Sequence, residues 1–301
     1  MPELPDITVY IEALSERIQG QKLARFVLQS PFVLRTVEPA PGDIVGRKVI
    51  SIRRLGKRIA IGFEGDYWIV IHLMIAGRFN WLAADKKPPK SALAFLCFDS
   101  GTLVLTEAGS KKRASIHLAE TSDVSALFDP GGAAVEGLDF NEFKRILTAN
   151  NHTLKRALTD PKLFSGIGNA YSDEILHRAK LSPIKQTQKL NDEEIENLRA
   201  ACGVVLDTWT NKLRDLYGEK FPTKVTAFRD GMAVHGRYQQ DCPECGTAIQ
   251  RIRYASNEVN YCPRCQTEGK VLADRSLSRL LKKDWPRNIE ELEKLQLDKP
   301  K

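Results

Sequence analysis

Met1-Pro2-Glu3-Leu4-Pro5-Asp6 opens the chain. The small residue at position 2 favours removal of the initiator methionine, which would leave Pro2 as a secondary-amine chain start. A free α-amino group titrates at about 7.7–8.0, so part of it is unprotonated and nucleophilic at neutral pH. Such an amine can attack an aldehyde-like carbon and form an iminium. Glu3 and Asp6 place two carboxylates beside it, the kind of group that moves protons. Taken alone, the same residues also read as a plain start followed by helix-entrance acids. Leu4, Ile7, Ile11, Leu14 and Ile18 then fall at helical spacing. Pro5 suits a first turn, Asp6 and Glu12 lie toward the end that favours anions, and Gly20 supplies a stop. The positive end of this helix is expected to disfavour the ammonium form and lower the amine pKa.

The 301 residues allow two domains with real cores. A formal net charge of +7 favours a polyanionic partner such as nucleic acid. There is no apolar run of membrane-spanning length and no basic-then-apolar leader, so the expectation is a cytoplasmic monomer without a membrane partner. Six cysteines, four of them in two C-x-x-C pairs, indicate a metal site in a reducing compartment and not a disulfide framework.

Outward from the first helix, residues 22–28, 45–53, 58–63, 67–73, 93–98, 102–106 and 113–118 are short and rich in β-branched or aromatic residues. They are separated by turn signals such as Gly65-Asp66 and Asp99-Ser100-Gly101. Strands at this spacing predict a sandwich or barrel. Three places between them invite chemistry, each with a plainer reading alongside. Lys57, after Arg53-Arg54, meets a phosphate or transfers a proton, or sits in a solvated turn. The segment from His72 to Gly77 carries Met74 and Ile75, either of which can wedge into a base stack or pack in a core. Lys111-Lys112-Arg113 is a cation-loaded turn.

Asp129-Pro130-Gly131-Gly132 reads as a linker, and helices dominate beyond it. Asn191 caps a long helix with Asp192, Glu193 and Glu194 in its first turn. The turn Ser165-Gly166-Ile167-Gly168-Asn169 lies between two helices. Its glycines let backbone approach a ligand, and the following helix offers free N–H groups, a phosphate site to which Asn169 adds a donor and Lys155 a charge. Glycines there also serve helix-hairpin sterics. The firmest motif is Cys242-x-x-Cys245 with Cys262-x-x-Cys265, two knuckles that suit one tetrahedral structural zinc ion. Residues 249–254 and 259–261 between the knuckles read as a hairpin bearing Arg251 and Arg253, with Arg237 just before it, suited to phosphate backbone. Residues 276–283 and 288–295 read as helices after the finger.

In order along residues 1 to about 266, these motifs make the chain resemble the bifunctional DNA glycosylases that include formamidopyrimidine-DNA glycosylase and endonuclease VIII. The motifs are Met1-Pro2-Glu3-Leu4-Pro5, Lys57, His72-Leu73 with Gly77, Lys155, Ser165 to Tyr171, His235-Gly236-Arg237 and the four cysteines. The resemblance implies an α+β chain: a β-sandwich with its N-terminal helix (1–130), a helix–two-turn–helix domain (131–234) and a zinc-finger β-hairpin (235–267), followed by an extension (268–301) with no assigned role. It implies damaged DNA as partner, oxidised or ring-opened purines as default lesions, and base flipping. Pro2 then attacks the sugar, Glu3 moves protons, and Lys57 takes part in β-elimination. By the same resemblance Lys155, Gly168 and Asn169 contact phosphate or lesion, and residues 223–232 shape the lesion pocket.

The departures are also readable. Asp6 stands where better-known members have glutamate, and Ile75 where many carry methionine. Lys111-Lys112-Arg113 replaces an Arg-Arg-Phe loop, and Asn257 replaces the finger arginine that grips phosphates. Either Arg253 or Arg251 substitutes for that arginine, or strand grip and δ-elimination weaken. Besides a glycosylase with lyase activity, a catalytically narrowed damage sensor of the same fold and an unrelated zinc-ribbon binder stay open.

Overall fold

The expected helical stripe forms α1 (Leu4–Ile18), with Ile7, Tyr10, Leu14 and Ile18 fully buried along one face. The helix ends at Gln19, and Gly20 turns the chain away with φ +79°. The computed structural model describes residues 1–223, 228–254, 257–274 and 277–297. After α1 come β1 (Arg25–Leu28), α2 (Pro41–Ile44), β2 (Val49–Leu55), β3 (Arg58–Phe63), β4 (Tyr67–His72), β5 (Gly77–Leu82), β6 (Ala92–Phe98), β7 (Gly101–Glu107), β8 (Ser115–Glu120) and α3 (Val124–Phe128).

These strands make two four-stranded antiparallel sheets, ordered β1-β6-β7-β5 and β2-β3-β4-β8. Ile59, Ile61, Ile69 and Ile71 of one sheet share a core with Leu96, Leu103 and Leu105 of the other and with α1. The opposite face of β3 and β4 is also covered: Ala60, Trp68 and Val70 pack with Val124 of α3. Strands buried on both faces read as continuous apolar runs, as Arg58-Ile-Ala-Ile-Gly-Phe63 does.

The sequence reading placed no strand at β5. Arg78-Phe79-Asn80-Trp81 alternates, with Phe79 fully buried, but the glycine-bearing segment before it masks the pattern. The strand read at 22–28 begins only at Arg25, with Lys22 reduced to an isolated bridge to Lys48. That read at 113–118 begins at Ser115, because the chain before it is tied to Glu107.

The second half holds α4 (Phe140–Thr148), α5 (Leu154–Thr159), α6 (Asn169–Arg178), α7 (Asp192–Tyr217), the hairpin β9 (Gln250–Tyr254) and β10 (Asn257–Tyr261), α8 (Pro263–Thr267), α9 (Leu277–Leu281) and α10 (Ile289–Leu297). Asn191 caps α7 as read, its side chain accepting from the Glu194 N–H at 2.8 Å. The chain parts into two compact units. One is Met1–Gly132 with the chain from Asp207, whose Phe221 joins the sandwich core. The other is Ala133–Leu206 with the chain from Phe228 on, so finger and extension fold together with the helices before them.

Candidate functional site

At the head of α1, Pro2 is buried and Glu3 and Asp6 are each 2% exposed. The Glu3 N–H donates to the Asp6 carboxylate at 2.9 Å, and the two residues form a capping box. Asp6, read from sequence as a proton-transfer group, thus closes the first helical turn and fixes the direction in which the chain start projects. The terminal amine, on Met1, is held below its ordinary value of 8.0. Burial is the largest cause, Glu3 opposes it, and Arg78 and then Lys57 act with burial. Burial therefore leads where the sequence reading invoked the helix terminus.

Lys57 is the second residue of a two-residue hairpin loop between β2 and β3, and Gly56 before it takes φ +60°. Arg53 stacks on Trp68 at 4.2 Å, so part of this basic run is structural. His72 ends β4 opposite Arg58 and Ser115. Its pKa is lowered to about 4, first by burial and then by Arg58, Lys57 and His117. The unfolded value is about 6.5, so between the two values the unfolded chain binds the extra proton. This contribution is absent above pH ~6.5, and stability falls as pH drops toward 4. A full shift would be worth about 3 kcal/mol, and solvent screening of a half-buried ring cuts that to ~1–2. His72→Gln should therefore lose less stability than the parent between pH 7 and 4.5. Equal Tm profiles would refute this.

The loop after β4 is tight: the Gly77 N–H donates to the Leu73 carbonyl at 2.9 Å, and a Cβ at Gly77 would lie 2.2 Å from that oxygen. Ile75 projects from its tip, 57% exposed, while Met74 is half-buried with φ +54°. Of the two wedge candidates, Ile75 is the more exposed. Lys111, Lys112 and Arg113 are all exposed. Their loop hangs on the buried Glu107 carboxylate, which accepts from the Arg113 and Ala114 N–H groups at 2.7 and 3.0 Å.

In the second unit the turn before α6 has Gly166 at φ +82°. Lys155 donates to the Asp173 carboxylate at 2.5 Å and to the Asn169 carbonyl at 2.6 Å. The Asn169 amide donates to the Glu258 carbonyl at 2.9 Å. Both groups are therefore engaged internally. Sequence reasoning missed the hub of this network, Asp173 and Glu174, neighbours on a helix buried from Ala170 to His177. The Asp173 carboxylate also meets the His235 ring at 2.8 Å and accepts from the Asn260 N–H at 3.2 Å. Glu174 accepts from the N–H groups of Ala233, Val234 and His235 at 2.7–2.9 Å. The only sequence signal was a pair of adjacent acids flanked by Ala170, Tyr171, Ile175 and Leu176. Asp173→Ala would strand the nearly buried Lys155 ammonium and should cost about 3–5 kcal/mol in denaturant unfolding. Adding Lys155→Met should restore part of the loss.

Gly236 follows with φ +72°, and a Cβ there would meet Phe228 at 2.7 Å. Arg237 is turned inward, donating to the carbonyls of Met232 and Asp241 at 3.0 Å each, so it braces the finger entrance. Arg251 lies over Tyr238 at 4.1 Å and pairs with Glu258 at 3.3 Å. Arg253 is exposed, with its main-chain N–H on Asp274 at 2.7 Å. The Asn257 side chain, and residues 224–227 of the lesion-pocket loop, lie outside the described residues.

The ligand atoms of Cys242, Cys245, Cys262 and Cys265 all lie within 4.8 Å of one another. Sγ separations of 3.4 Å (Cys245–Cys262) and 3.9 Å (Cys242–Cys265) bracket the roughly 3.8 Å expected for tetrahedral zinc–sulfur bonds of about 2.3 Å. The Cys265 N–H points to the Cys262 Sγ at 3.5 Å, and the His177 Nε2 lies 3.3 Å from the Cys242 Sγ. The four thiolates fit one structural zinc ion and fill its coordination, leaving no position for a reacting group.

The chain matches the formamidopyrimidine-DNA glycosylase N-terminal domain over residues 1–112, the H2TH domain of that enzyme over 131–211, and the zinc finger found in FPG and IleRS over 240–267. It is 31% identical over 281 residues to formamidopyrimidine-DNA glycosylase of Desulfitobacterium hafniense, covering 88% of this chain and all of that protein. The chain belongs to the formamidopyrimidine-DNA glycosylase family. Membership makes it a DNA glycosylase of DNA repair. An uncharacterized formamidopyrimidine-DNA glycosylase-like protein of Mycobacterium tuberculosis is 42% identical over 137 residues, 46% of this chain and 85% of that protein. The fold matches Lactococcus lactis Fpg solved in complex with oxidized-pyrimidine DNA, with TM-score 0.77, 26% identity, and coverage of 88% of this chain and 100% of that one. The family's sandwich, H2TH helices and zinc-finger hairpin are the elements described above, so the expected α+β architecture holds. Among the described residues no helix is long and apolar enough to cross a membrane.

Proposed function

We propose that this chain is a bifunctional DNA glycosylase and abasic-site lyase that works through Pro2. One observation carries the reading: Pro2 and Glu3 are buried at the chain start, and the terminal amine is held below its usual pKa, with Arg78 and Lys57 adding to the effect of burial. Trimming of Met1 transfers that setting to the Pro2 nitrogen. The L. lactis neighbours, solved with abasic-site or oxidized-pyrimidine DNA, support damaged DNA as the partner.

The Pro2 lone pair attacks C1′ of the flipped nucleotide, a C–N bond forms, and the damaged base leaves with the glycosidic electron pair and a proton. Glu3 protonates the ring oxygen as the sugar opens, which leaves an iminium. Loss of a C2′ proton then expels the 3′-phosphate, and Lys57 assists this β-elimination. Ile75 fills the gap in the stack, and the loop of Lys111, Lys112 and Arg113 contacts the strand. Arg253, the exposed arginine of the hairpin, grips phosphate in place of an arginine at position 257. Lys155, Gly168 and Asn169 shape the H2TH phosphate contact. His72 works as a neutral ring. Oxidised or ring-opened purines are the first lesions to test.

Borohydride treatment of enzyme with abasic-site duplex should yield a covalent adduct. Tight binding with neither adduct nor nicking would refute the lyase and favour a damage sensor.

A further inference from the structure

The zinc-finger match ends at residue 267, and the described residues 268–274 and 277–297 follow it. The first stretch is strapped onto the finger. The Gly269 and Lys270 N–H groups donate back to the Pro263 and Thr267 carbonyls, and Leu272 packs on Ile252, Val259 and Tyr261 of the hairpin. The Leu272 N–H donates to the Tyr261 hydroxyl at 2.7 Å. Asp274, 1% exposed, accepts from the Arg253 N–H at 2.7 Å. A second pass returns along the strap: Val271 donates to the Arg287 carbonyl, Ile289 to the Gly269 carbonyl, and Lys270 bridges Asn288. One end of the intervening segment is thus tied to the hairpin and the other to the strap, and Pro286 and Ile289 are buried.

Between those ties stand Arg279, Lys282, Lys283 and Arg287, against the single acid Asp284. All four cations are exposed, and among the described residues none of their side chains has an ion-pair partner. Glu290, Glu291 and Glu293 lie in α10, where the Glu291 carboxylate accepts from the Arg287 N–H and the Asn288 side chain. A flexible basic tail would lose its conformational freedom on binding. This segment is held at both ends, at Asp274 by the Arg253 N–H and at residues 287–289 by the strap, so it has less freedom to lose.

We infer that residues 279–287 form a phosphate-binding surface of this chain, engaging the DNA backbone outside the contacts of the zinc finger. The inference rests on the DNA-binding reading above. DNA is favoured over an anionic membrane because the chain belongs to a family of DNA glycosylases, and the 77% exposed Leu280 makes the membrane an arm of the test. The contacts are sequence-independent and salt-sensitive, since each neutralised phosphate releases counterion.

The test uses the full zinc-loaded chain and its R279Q/K282Q/K283Q/R287Q variant, titrated against a duplex carrying a stable abasic-site analogue over a range of salt. Unchanged zinc content and Tm confirm that these exposed substitutions leave the fold intact. The slope of log K against log salt should fall by about 2–4, at roughly 0.9 per phosphate contact, with affinity at ~0.1 M salt down at least tenfold. The yield of borohydride adduct at saturating enzyme should not change. Equal slopes and affinities for parent and variant overturn this inference and leave the glycosylase reading standing. A parent that shows no salt-dependent DNA binding overturns both. Cosedimentation of the parent with phosphatidylserine vesicles, lost in the variant while DNA slopes match, assigns the surface to membrane and overturns the inference.

Discussion

Pro2→Gly is expected to lower both the borohydride-trapped adduct on abasic DNA and strand nicking at least about 100-fold, the scale set by losing a near-attack geometry. Two physical changes act together. A secondary amine can form only a cationic iminium, an electron sink at every pH, whereas glycine's primary amine gives a neutral imine that must still be protonated. The pyrrolidine ring also ties the nitrogen back to its own side chain and glycine does not, so the nitrogen loses its fixed approach. The capping box is left in place, because it joins Glu3 and Asp6 and not residue 2. Zinc content and affinity for an abasic-site analogue should therefore match the parent. Mass spectrometry must find Met1 absent from the active parent. A chain that nicks at full rate with Met1 attached, or with its amine acetylated, would remove Pro2 from the mechanism.

What sequence could reveal here was whatever depends on local spacing. The α1 stripe, the strand runs of β3 and β4, the Asn191 cap and the two cysteine knuckles are each written within a few neighbouring residues. Strand β5 escaped because its alternation starts inside a glycine turn, where the loop signal is stronger. Side-chain destinations across long separations were the larger loss. Lys155 and Asn169 both looked like free phosphate donors, yet one meets Asp173 and the other the Glu258 carbonyl, 89 residues away. Arg237 looked like a phosphate contact and braces backbone instead. Asp173 and Glu174 were invisible for the same reason: nothing near them in sequence shows that they hold residues 233–235 and 260. The extension beyond residue 267 read as two helices with no role, because its purpose lies in ties to a hairpin formed earlier in the chain.

Removing the metal should have the largest effect on DNA binding. The finger's own apolar cores are small, one of Val234, Ile249 and the cysteines and one of Ile252, Val259 and Tyr261. A segment of this size rarely folds without a metal or disulfide, and the cysteines carry no disulfide. Zinc held by four thiolates contributes about 10–16 kcal/mol to such a fold at pH 7. Chelation, or Cys262→Ser at a fully buried ligand, should therefore melt the hairpin and release Arg253 and the strap at Asp274. The damage should spread one step further, since His177 of α6 rests on the Cys242 sulfur and Glu174 holds the finger entrance. It should stop short of the sandwich, whose core of α1 and both sheets contains no finger residue. Thermal unfolding of the zinc-free chain should split in two, with the upper transition near that of the parent. Affinity for abasic-analogue DNA should fall at least about 100-fold, the finger's share of several phosphate contacts. Zinc retention should also fail as pH drops and protons compete for the thiolates. Undiminished DNA affinity in protein shown to be metal-free would refute the finger's assigned part in the grip.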